Sequence, residues 1–173
     1  MRAALPLIAA LACAPALARA GEGDSPSWSL TAHAGAQGYL SDGRTMGGYG
    51  GGFGLQVERG PFLAGADAAY LFFIGNAAAL RVSAGVQRPG LWSPALLLRA
   101  SLLVGDQFTF FQPGGPILGA GPAFCVGLTA APLRFTLSGA HVSVLQLGVG
   151  LGVDPTGLAV APQLDVLEIS IPL

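Results

Sequence analysis

Lysine is absent from this chain of 173 residues, and only 10% of its residues are charged. An ordinary soluble domain carries about 25%, so the water-facing surface of a globule is hard to assemble from this composition. The basic residues are all Arg and the formal net charge is -1. That balance excludes the basic footprint of a nucleic-acid-binding protein. Cysteine is nearly missing as well: Cys13 lies in the first twenty residues and Cys125 stands alone in the rest, so the main body of the chain cannot form an internal disulfide. The two histidines, His33 and His141, are far apart in sequence and make no metal-ligand cluster with a single Cys, and no cofactor motif is present. Uninterrupted apolar helices are missing too. Gln107 to Leu133 is free of charge but broken by Pro113, Pro116, Pro122 and Pro132, and Phe62 to Leu80 carries Asp67 in its middle. Proline and glycine at that density oppose a spanning helix.

What is there begins with an export signal. Arg2 gives a positive start, Ala3 to Leu17 is apolar, and Ala18-Arg19-Ala20 fits the small-x-small cleavage pattern. The apolar stretch is shorter than the roughly 20 residues of a membrane-spanning helix. Cleavage after Ala20 leaves a body of residues 21–173 with six Arg against nine acidic residues, a formal charge of -3.

That body has a period of two. In "SWSLTAHAGAQGYL" the residues Trp28, Leu30, Ala32, Ala34, Ala36 and Leu40 share one face, and Ser29, Thr31, His33, Gln37 and Tyr39 the other. The stretches "AALRVSAGVQ", "LRFTLS" and "LQLGVGLGV" alternate in the same way, as half-buried strands do. Turn signals such as Ser41-Asp42-Gly43, Arg59-Gly60-Pro61, Arg88-Pro89-Gly90 and Asp154-Pro155-Thr156-Gly157 separate the runs. The pattern predicts strands over 28–40, 48–58, 62–73, 77–87, 95–104, 117–128, 132–139, 144–153 and 157–172. Alternation breaks at Ala140 to Val144, read as a short loop or a bulge within one long strand, and the last run changes phase near Val166-Leu167, read as a β-bulge. Nine runs do not suit a closed bacterial barrel, which has an even count. The fold class is therefore an all-β, antiparallel, up-and-down transmembrane barrel of eight strands, with ten as the alternative count, forming one domain.

Alternation alone does not say which face is outside. The polar faces hold Gly, Ala, Ser, Thr and Gln with isolated charges, far short of a soluble exterior at about 25–35% charge. They suit instead the narrow interior of an eight-stranded barrel. Asp67, Arg81, Arg99, Arg134 and Glu168 sit within the runs, with Glu58 near a strand end, and Gln56 shares its strand. As buried charges must be paired, these residues are assigned to the lumen, where both signs meet and plug it.

On these residues the chain resembles the small bacterial outer-membrane barrels of OmpA/OmpX and OmpW type, over the whole body of the chain and by pattern, without a diagnostic motif. "LEISIPL" places Leu167, Ile169, Ile171 and Leu173 on one face and is similar to the C-terminal strand that this family presents to its assembly machinery, although it ends in Leu rather than an aromatic residue. The resemblance implies residence in the outer membrane, membrane lipid as the surrounding partner, no nucleic acid, and a structural, adhesive or accessory envelope role with a narrow lumen. The alternative reading of the residues is a soluble secreted barrel of lipocalin type with a small apolar ligand inside. A third reading rests on His141-Val142-Ser143 with Asp154 downstream, which resembles the outer-membrane lipid A deacylases. An imidazole and a hydroxyl two apart share a strand face, and nucleophilic catalysis needs a base and an orienting acid besides the hydroxyl.

The glycine run "MGGYGGGFGLQVERG" has no G-x-G-x-x-G register and no helix after it, so it is not a phosphate cradle. It reads as the second strand, with Gly48, Gly50, Gly52 and Gly54 on the inner face, leaving room for long side chains from across the barrel. "GDQFTFFQPGGP", with Phe108, Phe110 and Phe111, is the longest candidate loop.

Overall fold

The computed structural model describes residues 25–41, 45–73, 76–106, 122–154 and 157–173. The export signal, Cys13 and the Phe108-Phe110-Phe111 loop lie outside these. Ten extended segments occur among the described residues: β1 (Ser27–Leu40), β2 (Thr45–Arg59), β3 (Phe62–Phe73), β4 (Ala77–Gln87), β5 (Ala95–Gly105), β6 (Ala123–Ala131), β7 (Arg134–Leu137), β8 (Ala140–Ser143), β9 (Gln146–Asp154) and β10 (Gly157–Pro172). All pairings are antiparallel, and β1 pairs with β10 from Ser29↔Pro172 to Leu40↔Val160. The sheet is thus closed and leaves no long edge to template aggregation.

The ten segments make eight staves. Cys125↔Gly152 in the β6–β9 ladder and Arg134↔Ser143 in the β7–β8 ladder belong to one register, and Val144 donates its backbone N–H to Leu133 O between them. β6 with β7, and β8 with β9, are therefore the two arms of one long hairpin. Its tight turn is Ser138 and Gly139, with φ of 51° and 87°, the left-handed pair that a two-residue hairpin of matching twist requires. The predicted run 132–139 joins the described part of 117–128, from Ala123 on, in one stave, which removes the odd strand; residues 117–121 lie outside the described residues.

The interruption is a change of phase across three neighbouring staves. Ala131 and Arg134, Ser143 and Gln146, and Asp165 and Glu168 are each three apart, yet all turn to the interior. In unbroken strands one of each pair would face out. Because the three staves shift together, their mutual register survives; the extra residue is absorbed at the border with β1, where the register jumps between Ala34↔Leu167 and Gly35↔Asp165.

Gly50, Gly52 and Gly54 face inward as expected. A Cβ at Gly52 would strike the backbone of Ala68 and Ala69 on β3, one at Gly50 that of Tyr70 and Leu71, and one at Gly54 that of Ala66 and Asp67. The glycines let β2 coil closely against its neighbour.

Lumen, outer face and mouth of the barrel

The outer face is apolar along every stave. β4 turns out Ala78, Leu80, Val82, Ala84 and Val86; β5 turns out Leu96, Leu98, Ala100, Leu102 and Val104; β9 turns out Leu147, Val149, Leu151 and Val153. Phe53 at 71% and Leu80 at 57% exposure are bare to the surroundings in mid-stave. Among the described strand residues the charged side chain on this face is Arg59, at the last position of β2. Aromatic side chains mark both ends. Trp28, Phe62 and Trp92 lie toward the end that holds Ser27 and Leu173, the ends of the described barrel, Trp92 donating Nε1–H to Pro132 O. Tyr49, Tyr70 and Phe72 lie toward the other end, with Tyr49 edge-on to Phe72 at 4.4 Å. Phe62 and Phe72 on β3 are separated by roughly 33 Å of strand, or roughly 25 Å of height at a usual barrel tilt.

The interior is layered. Away from the termini it is filled by Tyr39, Met46, Leu71, Leu103 and several Ala. A charged layer follows. Arg81, 4% exposed, donates Nε–H to Asp67 Oδ1 at 2.5 Å, lies 3.5 Å from Asp165 Oδ1 and bonds to the ring of His33. Arg99, 5% exposed, reaches Asp165 Oδ2 at 3.1 Å and Gln146 Oε1 at 3.4 Å, and Gln163 donates to the same carboxylate at 2.8 Å. Two guanidinium groups thus share two carboxylates. The voids beside them measure about 10 Å³ and about 20 Å³, room for a water molecule or so each.

Nearer the termini, Leu63, Ala95, Leu97 and Ala131 close an apolar layer, and a second polar group forms around Glu58. Its carboxylate accepts from Gln56 Nε2 at 2.6 Å, Gln87 Nε2 at 2.7 Å and Arg134 Nη2 at 2.9 Å, and lies 3.1 Å from His141 Nε2. Arg134 is 1% exposed. His141 Nδ1 is 3.0 Å from Thr136 Oγ1. Glu58, Gln87, Arg88, Ser93, Thr136 and His141 line a basin of about 440 Å³ at this mouth.

The residues assigned to the lumen from sequence, Asp67, Arg81, Arg99, Arg134, Glu168 and Gln56, all lie on interior faces. Asp165 and Gln146, which hold Arg99, and Gln163, which donates to Asp165, had not been singled out. Asp165 and Glu168 are three apart and share the interior through the phase change alone. Its sign in the sequence is the broken alternation at Val166-Leu167.

The catalytic set His141, Ser143 and Asp154 does not assemble. His141 and Ser143 do share the inner face, but both ring nitrogens of His141 are engaged, by Glu58 and Thr136, and Ser143 Oγ is buried with no hydrogen-bond partner among the described residues. Asp154 ends the same stave, roughly 40 Å from His141 at about 3.3 Å per residue; its side chain lies outside the described residues.

No protein-family model and no curated protein sequence matches the chain. Among solved structures, Neisserial surface protein A aligns with a TM-score of 0.65 at 10% identity, over 86% of this chain and 99% of that one. The attachment invasion locus protein Ail of Yersinia pestis, solved with the heparin analogue sucrose octasulfate, gives a TM-score of 0.46 at 13% identity, over 85% of this chain and 99% of that one. At that identity the likeness to Neisserial surface protein A is one of fold: this chain is a closed, antiparallel, eight-stranded β-barrel.

Proposed function

We propose that this chain is a small outer-membrane β-barrel with a plugged lumen and a structural, adhesive or accessory role in the envelope. The outer face carries this reading. A wall of Leu, Val, Ala and Phe without mid-stave charge is costly in water and favoured in lipid, where the apolar band of such barrels is about 25 Å tall between aromatic girdles. A soluble lipocalin-like barrel requires the reverse, an apolar cavity inside and charge outside. Here the interior holds paired charges, with voids of about 10 Å³ and about 20 Å³ beside them. The packed lumen also argues against general solute transport. The lipid A deacylase reading lacks its assembled residues.

Membrane lipid is the surrounding partner in this proposal. The outward row Leu167, Ile169 and Ile171 on β10 supports contact with the assembly machinery through the C-terminal strand. The leader ends at Ala20, so the exported protein begins at Gly21. Fractionation of an expressing Gram-negative cell tests the proposal: the barrel is expected in the outer membrane, with a gel mobility that shifts on boiling. Recovery as a soluble periplasmic protein would refute it. Mass measurement of the exported protein tests the cleavage site separately.

A further inference from the structure

The polar cluster at the termini-end mouth has an order that lumen plugging does not require. Glu58, ionised and surrounded by donors, can only accept hydrogen bonds. The ring nitrogen facing it, Nε2 of His141 at 3.1 Å, must therefore carry a proton. In the neutral imidazole Nδ1 is then the lone-pair nitrogen, and it faces Thr136 Oγ1 at 3.0 Å. Ser93 Oγ, the other acceptor near that hydroxyl, is farther at 3.4 Å. The result is an acid, an imidazole and a hydroxyl in series, drawn from three staves. Glu58 is held from moving by Gln56, Gln87 and Arg134.

The hydroxyl end of this series opens on space. Thr136 and His141 line the basin of about 440 Å³, within the usual range for small-molecule sites. Pro89 and Leu91 give the basin apolar walls, and Arg88 lies at its rim with its guanidinium 5.6 Å from the Trp92 ring centroid. An activated hydroxyl and an oriented base beside a basin are the parts of an acyl-transfer site.

We propose that Thr136, His141 and Glu58 form a hydrolytic site for small carboxylic esters at this mouth of the barrel. Thr136 Oγ bonds to the ester carbonyl carbon as its proton passes to His141 Nδ1, leaving the negative charge on the carbonyl oxygen. The carbon–oxygen bond to the alcohol breaks, and the alcohol leaves with the proton from Nδ1. Water then attacks the acyl-Thr136 ester, gives a proton to Nδ1, and the acid departs as Thr136 recovers its hydroxyl hydrogen. Glu58 is a positioning residue, holding the imidazole in the tautomer the step needs. The site is independent of whether lipid or water surrounds the barrel.

The test uses the purified full barrel in detergent micelles with p-nitrophenyl butyrate, and a fluorophosphonate probe for the nucleophile. Hydrolysis above the buffer rate is expected, with a fluorophosphonate adduct mapped to Thr136 by mass spectrometry. T136V should fall by about 10²-fold or more, the scale of a general-base contribution. T136S, which keeps the hydroxyl, should stay within about tenfold, S143A should match the parent, and E58Q should lower kcat more than it alters KM. A parent protein no faster than buffer, a T136V variant as active as the parent, or the absence of an adduct on Thr136 would each overturn the proposal. The adduct on the unaltered protein decides the matter should T136V fail to fold.

Discussion

Arg81 shows how the interior is specified at the scale of single residues. Its guanidinium touches Asp67 beside it on β3, Asp165 from β10 and the ring of His33 from β1. Removing one partner of such a buried set leaves the other charges uncompensated, a loss of about 3–5 kcal/mol in measured cases. R81A should accordingly lower the unfolding free energy of the micelle-bound barrel by that amount, read from a urea titration followed through the boiling-dependent gel shift. An unchanged midpoint would mean that water, not Arg81, compensates the two carboxylates. Gly52 makes the complementary case. A methyl group there meets the backbone of Ala68 and Ala69, which cannot rotate aside, so G52A should cost about 1–3 kcal/mol, as overpacking does, in the same urea titration. The inward direction of Arg81 and Gly52 was legible in the sequence, because strand alternation is local. Their contacts were not: Arg81 and Asp165 are far apart in the chain, and the wall that confines Gly52 belongs to another stave.

At the scale of elements, the decisive feature is the face that each stave turns outward. Val82 lies midway along β4 and is 56% exposed. V82R should destabilise a barrel in lipid by about 2–4 kcal/mol, the range for Arg at the bilayer midplane. On a soluble protein a surface substitution of this kind stays within about 0.5 kcal/mol. Measuring V82R against the parent in lipid vesicles therefore discriminates between the two environments, and a neutral result would count against the membrane assignment. The elements also explain the strand count. Ala140 to Val144 breaks alternation in the sequence and leaves open a loop or a bulge. The structure shows a phase change inside a hairpin arm. A break in one strand cannot reveal that its neighbours break at the same height, because their common position is set by cross-strand register.

At the scale of the whole molecule, closure of eight staves leaves an interior that side chains fill. Planar-bilayer recordings of the reconstituted barrel should show no large stable conductance. A persistent open channel would require the Arg81 and Arg99 layer to part, and would contradict the packed interior. The two polar layers answer to different ends of the barrel: the Arg81 and Arg99 layer seals the middle, while the Glu58 cluster faces the mouth beside the termini.

The sequence by itself determined that the chain forms strands, which side of each strand is apolar, and that too little charge exists to clothe a soluble globule. These properties are local: they follow from period-two alternation and from composition. Only the tertiary structure decided that there are eight staves, that Asp165 joins Glu168 in the lumen, and that His141 meets Glu58 and Thr136 rather than Asp154. The physical reason is that strand tilt and register determine which residues of different staves stand at one height. A phase change shared by three staves then moves inward side chains that simple alternation would place on the outer face.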